Sequence, residues 1–522
     1  MENISDIIIQ LAKSGTKNRR TLDILKRRFA KNSNGVVVSN SLLLKVYHKL
    51  LSTGKIRENK SIEETLRIKK VRSLSGIVVV SVLTKPYKCP GKCIFCPTQE
   101  NTPKSYIKEE PAVARAIMMD YHPFKQVQIR LKALKAAGHP TDKIDLRIIG
   151  GTWSFYPKNY QNWFIKECFR AANNSRTTKS LPLLQKDNER AKNRIIGIMI
   201  ETRPDFINLK EIKRLRELGI TAVELGVQSI YNDILEKNKR GHLIEETIKA
   251  TRLLKDAGFK ICYQMMPNLL GSNPKRDLKM FKELFSNPDF KPDYIKIYPC
   301  ALLKEATLYK VWKKGNYKPY GKETLINLLL AVKKHVPYYC RIQRIIRDIP
   351  SSYVIQGGAK ISNLRQEIEK TSRKQGWNCK CIRCREIKDN YNPKEELFLF
   401  RDYYDASQGK EIFLSFENKN RTRLYSLLRL RIAGQKSLAV LNNAGIIREV
   451  HTYGQMASIK KDSVSAQHKG LGKKLIKEAE YIVKEEFEIH KIAAISGIGA
   501  RNYYKKLGYR LKDTYMIKEL WQ

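Results

Sequence analysis

Short apolar segments alternate with longer amphipathic ones from about residue 75 to residue 340, and this alternation limits the fold more than any other feature of the sequence. The apolar segments, most of them rich in β-branched residues, are "GIVVVSVLT", "KIDLRIIGG", "RIIGIMIETRP", "AVELGVQS", "ICYQMMP" and "YIKIYPC". Between them, "NLKEIKRLRELG" and "LIEETIKATRLLKDAG" end in glycine, as helices often do. Regular strand–helix alternation predicts a parallel sheet, either open or curved into a partial TIM-like barrel.

Polar motifs follow several of these predicted strands. They are Gly150, Gly151 and Thr152 in "GGT", Glu201 and Arg203 in "ETRPD", Gln228 and Ser229 in "GVQS", and Lys296 in "KIYP". In parallel α/β folds the functional residues gather at the carboxyl ends of the strands. Each residue alone is compatible with a buried structural role, but their shared position favours a common site.

Three cysteines, Cys89, Cys93 and Cys96 in "CPGKCIFCP", follow the first predicted strand with C-x3-C-x2-C spacing. Tetrahedral zinc needs a fourth ligand, and no further His or Cys lies close by in the sequence. Three thiolates on one loop suit a 4Fe–4S cluster with one iron left open. The spacing, with Phe95 before the last cysteine, resembles the radical S-adenosylmethionine enzymes.

That resemblance implies that S-adenosylmethionine is the missing ligand of the cluster. It also implies that Gly150, Gly151 and Thr152 bind the methionine amino group, where glycines allow close backbone approach. Glu201, Arg203 and Gln228 are then expected to line the cofactor and substrate cavity, with Lys296 adding a cation.

A second cluster contains Cys379, Cys381 and Cys384 in "CKCIRC". Four thiolates would close a structural zinc site. Cys340 is the candidate fourth ligand, and Cys300, which ends a predicted strand, is its rival.

The chain is strongly basic, with 100 Lys and Arg against 51 Asp and Glu and a formal net charge of +49. An ordinary solvated surface accounts for part of this, but such an excess favours a polyanionic partner, most simply nucleic acid. The basic helix predicted at Lys17–Lys31 is then a phosphate-contacting arm as well as an amphipathic helix. The basic run of Arg341, Arg344 and Arg347 is expected to form a second phosphate-contacting surface.

Near the C-terminus, "QHKGLG" matches Q-x-x-G-x-G between a predicted strand and a clear helix. Backbone amides at such a turn form a cradle for a pyrophosphate. With "ISGIGARNYYKKLGY" after it, this order resembles the GNAT acetyltransferase fold, which binds acetyl-CoA. Tyr503 and Tyr504 are the aromatic candidates near the thioester, and one of the two is expected to be a core residue.

A radical S-adenosylmethionine barrel joined to a GNAT domain resembles the family of Elongator catalytic subunits, which modify the wobble uridine of tRNA. The resemblance also rests on "IETRPDF", "ELGVQSIY", "NKRGH", "RIIRDIP", "CKCIRCRE" and "REVHTYG", and the short cysteine spacer is of the archaeal or bacterial type. It implies catalytic roles for Glu201, Lys296 and Tyr504. The acetyl-CoA contacts that it implies are Lys143, Glu449, Val450, His451, Thr452, Gln467, Lys469, Gly470, Leu471, Gly472, Lys473, Tyr503 and Tyr504.

The chemistry implied by the resemblance starts with reductive cleavage of S-adenosylmethionine to a 5′-deoxyadenosyl radical. That radical takes a hydrogen from the acetyl methyl group, and the carbon radical adds to C5 of the wobble uridine. Hydrolysis of the thioester leaves a carboxymethyl group. The implied partners are tRNA, acetyl-CoA and an electron donor, and a homodimer is compatible with them.

We therefore predict an α/β protein: a partial TIM-like radical S-adenosylmethionine barrel fused to a GNAT-type α/β acetyltransferase domain. The expected divisions are a basic helical N-terminal region at 1–70, the barrel at 71–340, a zinc-binding linker at 341–390 and the acetyltransferase domain at 391–522. No apolar run reaches the roughly 20 residues that a bilayer requires, so a cytoplasmic protein is expected. Two alternatives are a protein lysine acetyltransferase with a structural Fe–S barrel and a non-enzymatic tRNA-binding scaffold.

Overall fold

A computed structural model describes most of the chain. The described residues are 4–13, 19–33, 38–66, 75–388, 392, 394–435, 438–454 and 470–521. Within them lie two large sheets, each of seven strands, and a separate group of N-terminal helices.

The first sheet is parallel throughout, and its strands lie side by side in sequence order. These strands are β1 (Ile77–Leu83), β2 (Lys143–Ile149), β3 (Arg194–Thr202), β4 (Ala222–Gln228), β5 (Lys260–Met265), β6 (Tyr294–Ile297) and β7 (Arg341–Ile345). The predicted half-barrel is therefore confirmed. Its apolar strands bury their outward faces under helices, as parallel sheets require.

The helices of this half of the chain connect consecutive strands. They are α5 (Pro111–Ile117), α6 (Pro123–Ala136), α7 (Lys158–Asn173), α8 (Leu181–Asn188), α9 (Leu209–Glu217), α10 (Asn232–Lys237), α11 (Ile244–Asp256), α12 (Pro274–Ser286), α13 (Leu308–Lys313), α14 (Lys322–His335), α15 (Leu364–Lys374) and α16 (Ile382–Arg385). As predicted, α9 and α11 are followed by glycines, Gly219 and Gly258, with φ of 85° and 84°.

The seventh strand differs from the sequence-based expectation. The run that contains Arg341 and Arg344 was expected to belong to the zinc-binding linker, with its arginines as a phosphate-contacting surface. Instead, β7 pairs with β6 and closes one side of the half-barrel, and Arg341 binds Glu386 with 2.6 Å between nitrogen and oxygen. The barrel sheet therefore extends beyond the expected boundary at 340.

The second sheet is mixed, in the order β13-β14-β12-β11-β10-β9-β8. Its strands are β8 (Phe398–Ala406), β9 (Gly409–Glu417), β10 (Leu424–Ile432), β11 (Gly445–Thr452), β12 (Lys491–Ala494), β13 (Arg510–Lys512) and β14 (Tyr515–Glu519). Helices α17 (Leu471–Tyr481) and α18 (Arg501–Lys505) belong to the same part of the chain. The parallel β11–β12 ladder ends at Ile447 and Ala494, while β11 continues to Thr452 paired with β10.

The two sheets pack tightly together. A Cβ atom built at Gly497, in the loop after β12, would lie 2.0 Å from the Ile196 carbonyl oxygen on β3, so only glycine allows this approach. Fully buried ion pairs cross the same interface: Arg448 on β11 binds Asp293 at 2.5 Å, and Lys255 on α11 binds Glu411 on β9 at 3.4 Å. Because a buried charge that loses its partner is costly, these pairs favour the observed packing of the two sheets.

The N-terminal helices form a small core of their own. They are α1 (Ile4–Lys13), α2 (Arg19–Asn32), α3 (Asn40–Ser52) and α4 (Lys60–Leu66), as the basic helical region predicted. Ile8, Leu22, Leu44 and Tyr47 are buried among them. Among the described helices, none combines the length and apolar character needed to cross a bilayer.

Candidate active site

A single cavity of about 1720 Å³ occupies the inside of the half-barrel and reaches the second sheet. At the carboxyl ends of the strands it is lined by Cys89, Cys93, Cys96, Gly151, Thr152, Glu201, Arg203, Gln228 and Lys296. At the opposite end it is lined by Lys143, Glu449, Val450, His451, Thr452, Gly472, Tyr503 and Tyr504. The structure thus brings most of the residues predicted for the cluster, S-adenosylmethionine and acetyl-CoA to one continuous space, although Gly150, Gly470, Leu471 and Lys473 do not line it.

The cysteine loop lies directly after β1, at the carboxyl end of the sheet. Its backbone is anchored at Ile94, whose amide donates to the Asn238 carbonyl at 3.2 Å. A hydrogen bond from the Cys96 thiol, together with the guanidinium groups of Arg240 and Arg203, lowers the pKa of Cys93 to about 5 against the effect of burial. Arg240 Nη1 lies 3.6 Å from the Cys93 sulfur. The hydrogen bond to Cys93 and then burial raise the pKa of Cys96, so this pair holds one thiolate, on Cys93.

The space between these cysteines fits a cluster. A Cβ atom built at Gly91 would lie 3.5 Å from the Cys93 sulfur, 3.7 Å from the Cys89 sulfur and 2.7 Å from Arg203 Nη1. A side chain at this position would therefore enter the space between the sulfurs. Gln228, at the end of β4, has φ of 72° and a buried Oε1 atom without a hydrogen-bond partner among the described residues. Such an atom is suited to a bound ligand.

Glu201 lies at the centre of a polar group next to the cysteine loop. Tyr106 donates to its Oε2 atom at 2.8 Å, and the Gly150 amide donates to the same atom at 3.4 Å. Burial, followed by the nearby Glu224 carboxylate, raises the pKa of Glu201 to about 7. A carboxyl group with this pKa can give or accept a proton near neutral pH.

Lys296 does not stand alone, because Glu224 on β4 binds its ammonium group at 2.5 Å. Burial opposes the charge of Lys296, but Glu224 and then Tyr298 and Glu201 raise its pKa. Gln264 on β5 donates to Glu224 at 2.5 Å and to Glu201 at 3.5 Å. The sequence-based prediction missed Glu224 and Gln264. The feature that could have revealed them is a polar residue in the middle of an otherwise apolar predicted strand.

At the second sheet, the start of α17 faces the splayed end of β11. A Cβ atom built at Gly472 would lie 3.2 Å from the Tyr503 hydroxyl, 3.6 Å from Thr452 Oγ1 and 3.7 Å from Val450 Cγ1. Gly470 precedes the helix in a left-handed conformation with φ of 65°. The predicted turn, helix and strand therefore meet at one groove.

The remaining residues predicted for this groove differ in position. Tyr504 is buried and packs edge-to-face against Tyr509, whereas Tyr503 is more exposed. Leu471 is buried in the core, and Lys473 is exposed. Gln467 and Lys469 lie outside the described residues.

Glu449 joins the second sheet to the barrel at this end of the cavity. Its side chain accepts a hydrogen bond from Tyr294 on β6 at 2.5 Å, and it forms an ion pair with Arg429 at 2.8 Å. Lys143 begins β2 and lines the cavity at this level. The barrel side thus reaches the second sheet, and the predicted contact of Lys143 with acetyl-CoA stays a prediction.

The second cysteine cluster is compact. The sulfurs of Cys379, Cys381 and Cys384 all lie within 4.8 Å of one another, a spacing that suits a metal ion. Hydrogen bonds from Cys379 and Cys384 lower the pKa of Cys381. Cys340 is not part of this group of sulfurs, although its carbonyl accepts from the Ile382 amide at 3.0 Å.

The remaining arginine of the predicted basic run also differs from expectation. Arg347 binds the Glu110 carboxylate at 2.9 Å and lines the cavity. Arg344 pairs with Asp348. These arginines therefore line the barrel interior and its rim, and their role as a phosphate-contacting surface stays a prediction.

Comparisons with known proteins agree with this geometry. Residues 84–284 match the radical SAM superfamily model, and residues 292–374 match the radical SAM C-terminal domain. The chain is 47% identical over 478 residues to a tRNA uridine(34) acetyltransferase of Methanocaldococcus infernus, covering 89% of each chain. It is 37% identical to the human Elongator complex protein 3, covering 87% of this chain and 86% of the relative.

A solved structure titled as the archaeal Methanocaldococcus infernus Elp3 with an N-terminal deletion matches with a TM-score of 0.76 and 43% identity, covering 86% of this chain and 100% of that one. Membership in the radical SAM superfamily implies a 4Fe–4S cluster and S-adenosylmethionine, and Cys89, Cys93 and Cys96 are the residues that fit them. The chain belongs to the family of the tRNA uridine(34) acetyltransferases and Elongator complex protein 3.

Proposed function

We propose that this protein carboxymethylates C5 of the wobble uridine in tRNA, with acetyl-CoA as the source of the two-carbon group. The observation that carries the proposal is the single cavity that joins the cysteine loop to the groove between β11 and α17. An enzyme that applies radical chemistry to an acyl group needs the two cofactors to share one enclosed space. The names of the relatives support tRNA uridine as the substrate.

Each part of the cavity has a task in this proposal. Cys89, Cys93 and Cys96 hold the cluster, which together with S-adenosylmethionine supplies a carbon-centred radical. Gly151 and Thr152 approach S-adenosylmethionine through their backbone. Glu201 binds polar groups of that cofactor, and the Lys296 ammonium, held by Glu224, stabilises negative charge on a carbonyl oxygen in the cavity.

The groove of the second sheet binds acetyl-CoA in this proposal. Backbone amides at Gly470 and Gly472, at the start of α17, face the phosphates. The strand Glu449–Thr452 lies where the pantetheine arm leaves the phosphates, and Tyr503 lies beside the arm at this point. Tyr504, also predicted to be catalytic, supports Tyr503 from the core. Acetyl-CoA binding by a GNAT-type domain is supported by the splayed β11–β12 pair.

The remaining partners follow from charge and chemistry. The formal charge of +49 supports tRNA binding through phosphate contacts, with unstacked anticodon bases entering the cavity. An external electron donor is part of the proposal, because the radical forms by reduction. A tRNA substrate also supports a cytoplasmic location.

Cys379, Cys381 and Cys384 are proposed to bind a structural zinc ion. The closeness of their sulfurs supports this assignment. The segment lies where the two sheets join, since the Ile387 amide donates to the Leu424 carbonyl at 3.0 Å. Zinc would therefore stabilise the connection between the two halves.

The test is anaerobic reconstitution with iron and sulfide, followed by incubation with dithionite, S-adenosylmethionine, acetyl-CoA and tRNA. We expect 5′-deoxyadenosine by chromatography and carboxymethyluridine by nucleoside mass spectrometry. Cys96→Ala should remove both products, because it removes one of three cluster ligands. Cys168→Ala, a buried cysteine of α7 outside the cavity, is the matched control.

The outcomes separate the alternatives. Deoxyadenosine without modified uridine would point to another substrate or to a missing partner. Neither product, from protein that still hydrolyses acetyl-CoA, would favour a protein lysine acetyltransferase with a structural barrel. Neither product and no hydrolysis, from protein that still binds tRNA, would favour a scaffold.

A further inference from the structure

The interior of the half-barrel is open, whereas the interior of a closed TIM barrel is filled by layers of side chains. On β2, every second residue lines the cavity: Lys143, Asp145, Arg147 and Ile149. This period of two is that of the inward face of a strand. The cavity therefore runs along the strands rather than lying only above their ends.

The two ends of this interior meet different cofactor sites. The Lys143 end adjoins the second sheet, where the Tyr294 hydroxyl donates to Glu449 at 2.5 Å. The Ile149 end leads directly into Gly150 and Gly151, beside Glu201 and the cysteine loop. Six residue steps of about 3.3 Å separate the two ends, which gives about 20 Å. An extended pantetheine arm is of comparable length.

We propose that the barrel interior is the binding channel for the pantetheine arm of acetyl-CoA, which carries the thioester from the second sheet to the radical site. This inference rests on the proposed function, because it takes acetyl-CoA as the substrate. The acetyl group stays attached to CoA throughout its passage, so no separate acyl carrier is needed.

The wall of the channel has the chemistry that such an arm needs. Arg147 on β2 donates to Asp145 at 3.0 Å and, across the interior, to Gln343 Oε1 on β7 at 3.1 Å, so this hydrogen bond spans the channel at mid-height and must open when the arm enters. These side chains can then exchange hydrogen bonds with the amides of the arm. Met199 and Ala222, on β3 and β4, give an apolar wall for its methylene groups.

Small residues keep the channel open. A Cβ atom built at Gly197 on β3 would meet Thr221 Oγ1 at 3.5 Å and Asp145 Oδ1 at 3.6 Å, which are ordinary contacts. A larger side chain at Gly197 therefore fits the backbone but extends into the channel. Ala222, which faces Met199 across the β3–β4 pair, offers a second such position.

The first experiment locates the arm without using the activity of the loaded enzyme. A short-chain acyl-CoA with a terminal diazirine is photolysed with the full-length, cluster-free protein, and labelled peptides are mapped by mass spectrometry. We expect adducts on the inward faces of β2, β3 and β5. Adducts confined to peptides of the second sheet would overturn the channel.

The second experiment follows the acetyl group itself. With trideuteroacetyl-CoA, the methyl C–D bond breaks and its deuterium bonds to the 5′ carbon, so 5′-deoxyadenosine gains deuterium. Ala222→Phe and Gly197→Val should lower the deuterated fraction at least about tenfold, because a displaced reacting group loses rate steeply. Ala133→Phe, at an exposed position of α6, makes a similar change in size outside the channel.

Failure of the channel and failure of the function give different results. Equal deuterium transfer by wild type and both plugged variants would overturn the channel while leaving the proposed function intact. No deuterium transfer by the wild type would overturn the proposed function. In that case the channel is judged from the photolabelling alone: adducts inside the barrel would support it, and their absence would overturn it.

Discussion

At the scale of single residues, the sheet creates unusual environments at positions that look ordinary in the sequence. Glu201 ends a strand and faces into the barrel, where it shares a small volume with Glu224 and Lys296. The two carboxylates repel each other, and one lysine cannot neutralise both. Burial first, and then this repulsion, raise the pKa of Glu201 to about 7 beside the cysteine loop.

The raised pKa of Glu201 predicts a dependence of stability on pH. Burial and Glu224 raise this pKa to about 7, so between its ordinary value and pH 7 the folded protein holds a proton that the unfolded chain has released. Stability must therefore fall as pH rises through that window, by about 1.4 kcal/mol per pH unit at most. Above pH 7 the contribution is level.

Glu201→Gln isolates this effect. Its thermal unfolding midpoint should rise relative to wild type between pH 5 and pH 7, and the difference should then stay constant to pH 8. Glu236→Gln, on an exposed position of α10, is the control. A constant difference between Glu201→Gln and wild type across the whole range would show that the carboxyl group ionises normally.

At the scale of whole elements, the sequence predicts the strands whose outward faces are apolar and buried. It misses the strand and the side chains whose polarity comes from lining the cavity. Strands β1 to β6 were predicted because their outward faces are apolar and buried under helices. Strand β7 was missed because Arg341 and Gln343 line the cavity, so their strand looked like a basic loop. Glu224 was missed for the same reason. Pairing across a cavity depends on curvature of the sheet, which a local pattern does not contain.

The cysteines around α16 lead us to predict that bound metal stabilises the connection between the two sheets. Cys381→Ser should lower bound zinc from about one ion per chain to near zero. The change removes one of the three clustered thiolates, and the other two no longer form a sufficient set of ligands. Cys340→Ala should keep its zinc, since the Cys340 sulfur lies outside the cluster. Metal content is measured by inductively coupled plasma mass spectrometry on purified protein.

Stability provides the second measurement for this element. Loss of zinc should lower the thermal unfolding midpoint, because α16 joins the sheets and the Arg385 side chain pairs with Glu417 on β9. Full zinc retention in Cys381→Ser would contradict the assignment. Zinc loss in Cys340→Ala would restore Cys340 as the fourth ligand.

At the scale of the whole molecule, the two packed sheets and the N-terminal helices form separate cores. The tightly packed sheets form a rigid chamber, because glycine contacts and buried ion pairs favour their observed packing. The small N-terminal core is separate from that chamber. On α2, Leu22 and Phe29 are buried in this core, whereas Arg27, Arg28 and Lys31 are exposed. A basic outer face on an independently packed helix suits contact with tRNA phosphates away from the reacting base.

This arrangement predicts a salt-dependent role for α2 in tRNA binding. The triple change Arg27→Ala, Arg28→Ala and Lys31→Ala should weaken binding and reduce the slope of log K against log salt by about 2, because each phosphate contact contributes about 0.7 to 0.9. Binding is measured by fluorescence anisotropy over a series of KCl concentrations. The apolar face of α2 is unchanged, so circular dichroism should remain that of wild type.

The matched control removes three cations from the far edge of the second sheet: Lys506→Ala, Arg510→Ala and Lys512→Ala, all exposed. Both triple variants lower the net charge equally, so a general effect of charge would change both slopes by the same amount. A slope that falls only for the α2 variant assigns the contact to that helix. Equal slopes for both variants and wild type would mean that α2 makes no phosphate contact, and the excess charge would then act through the chamber and its rim.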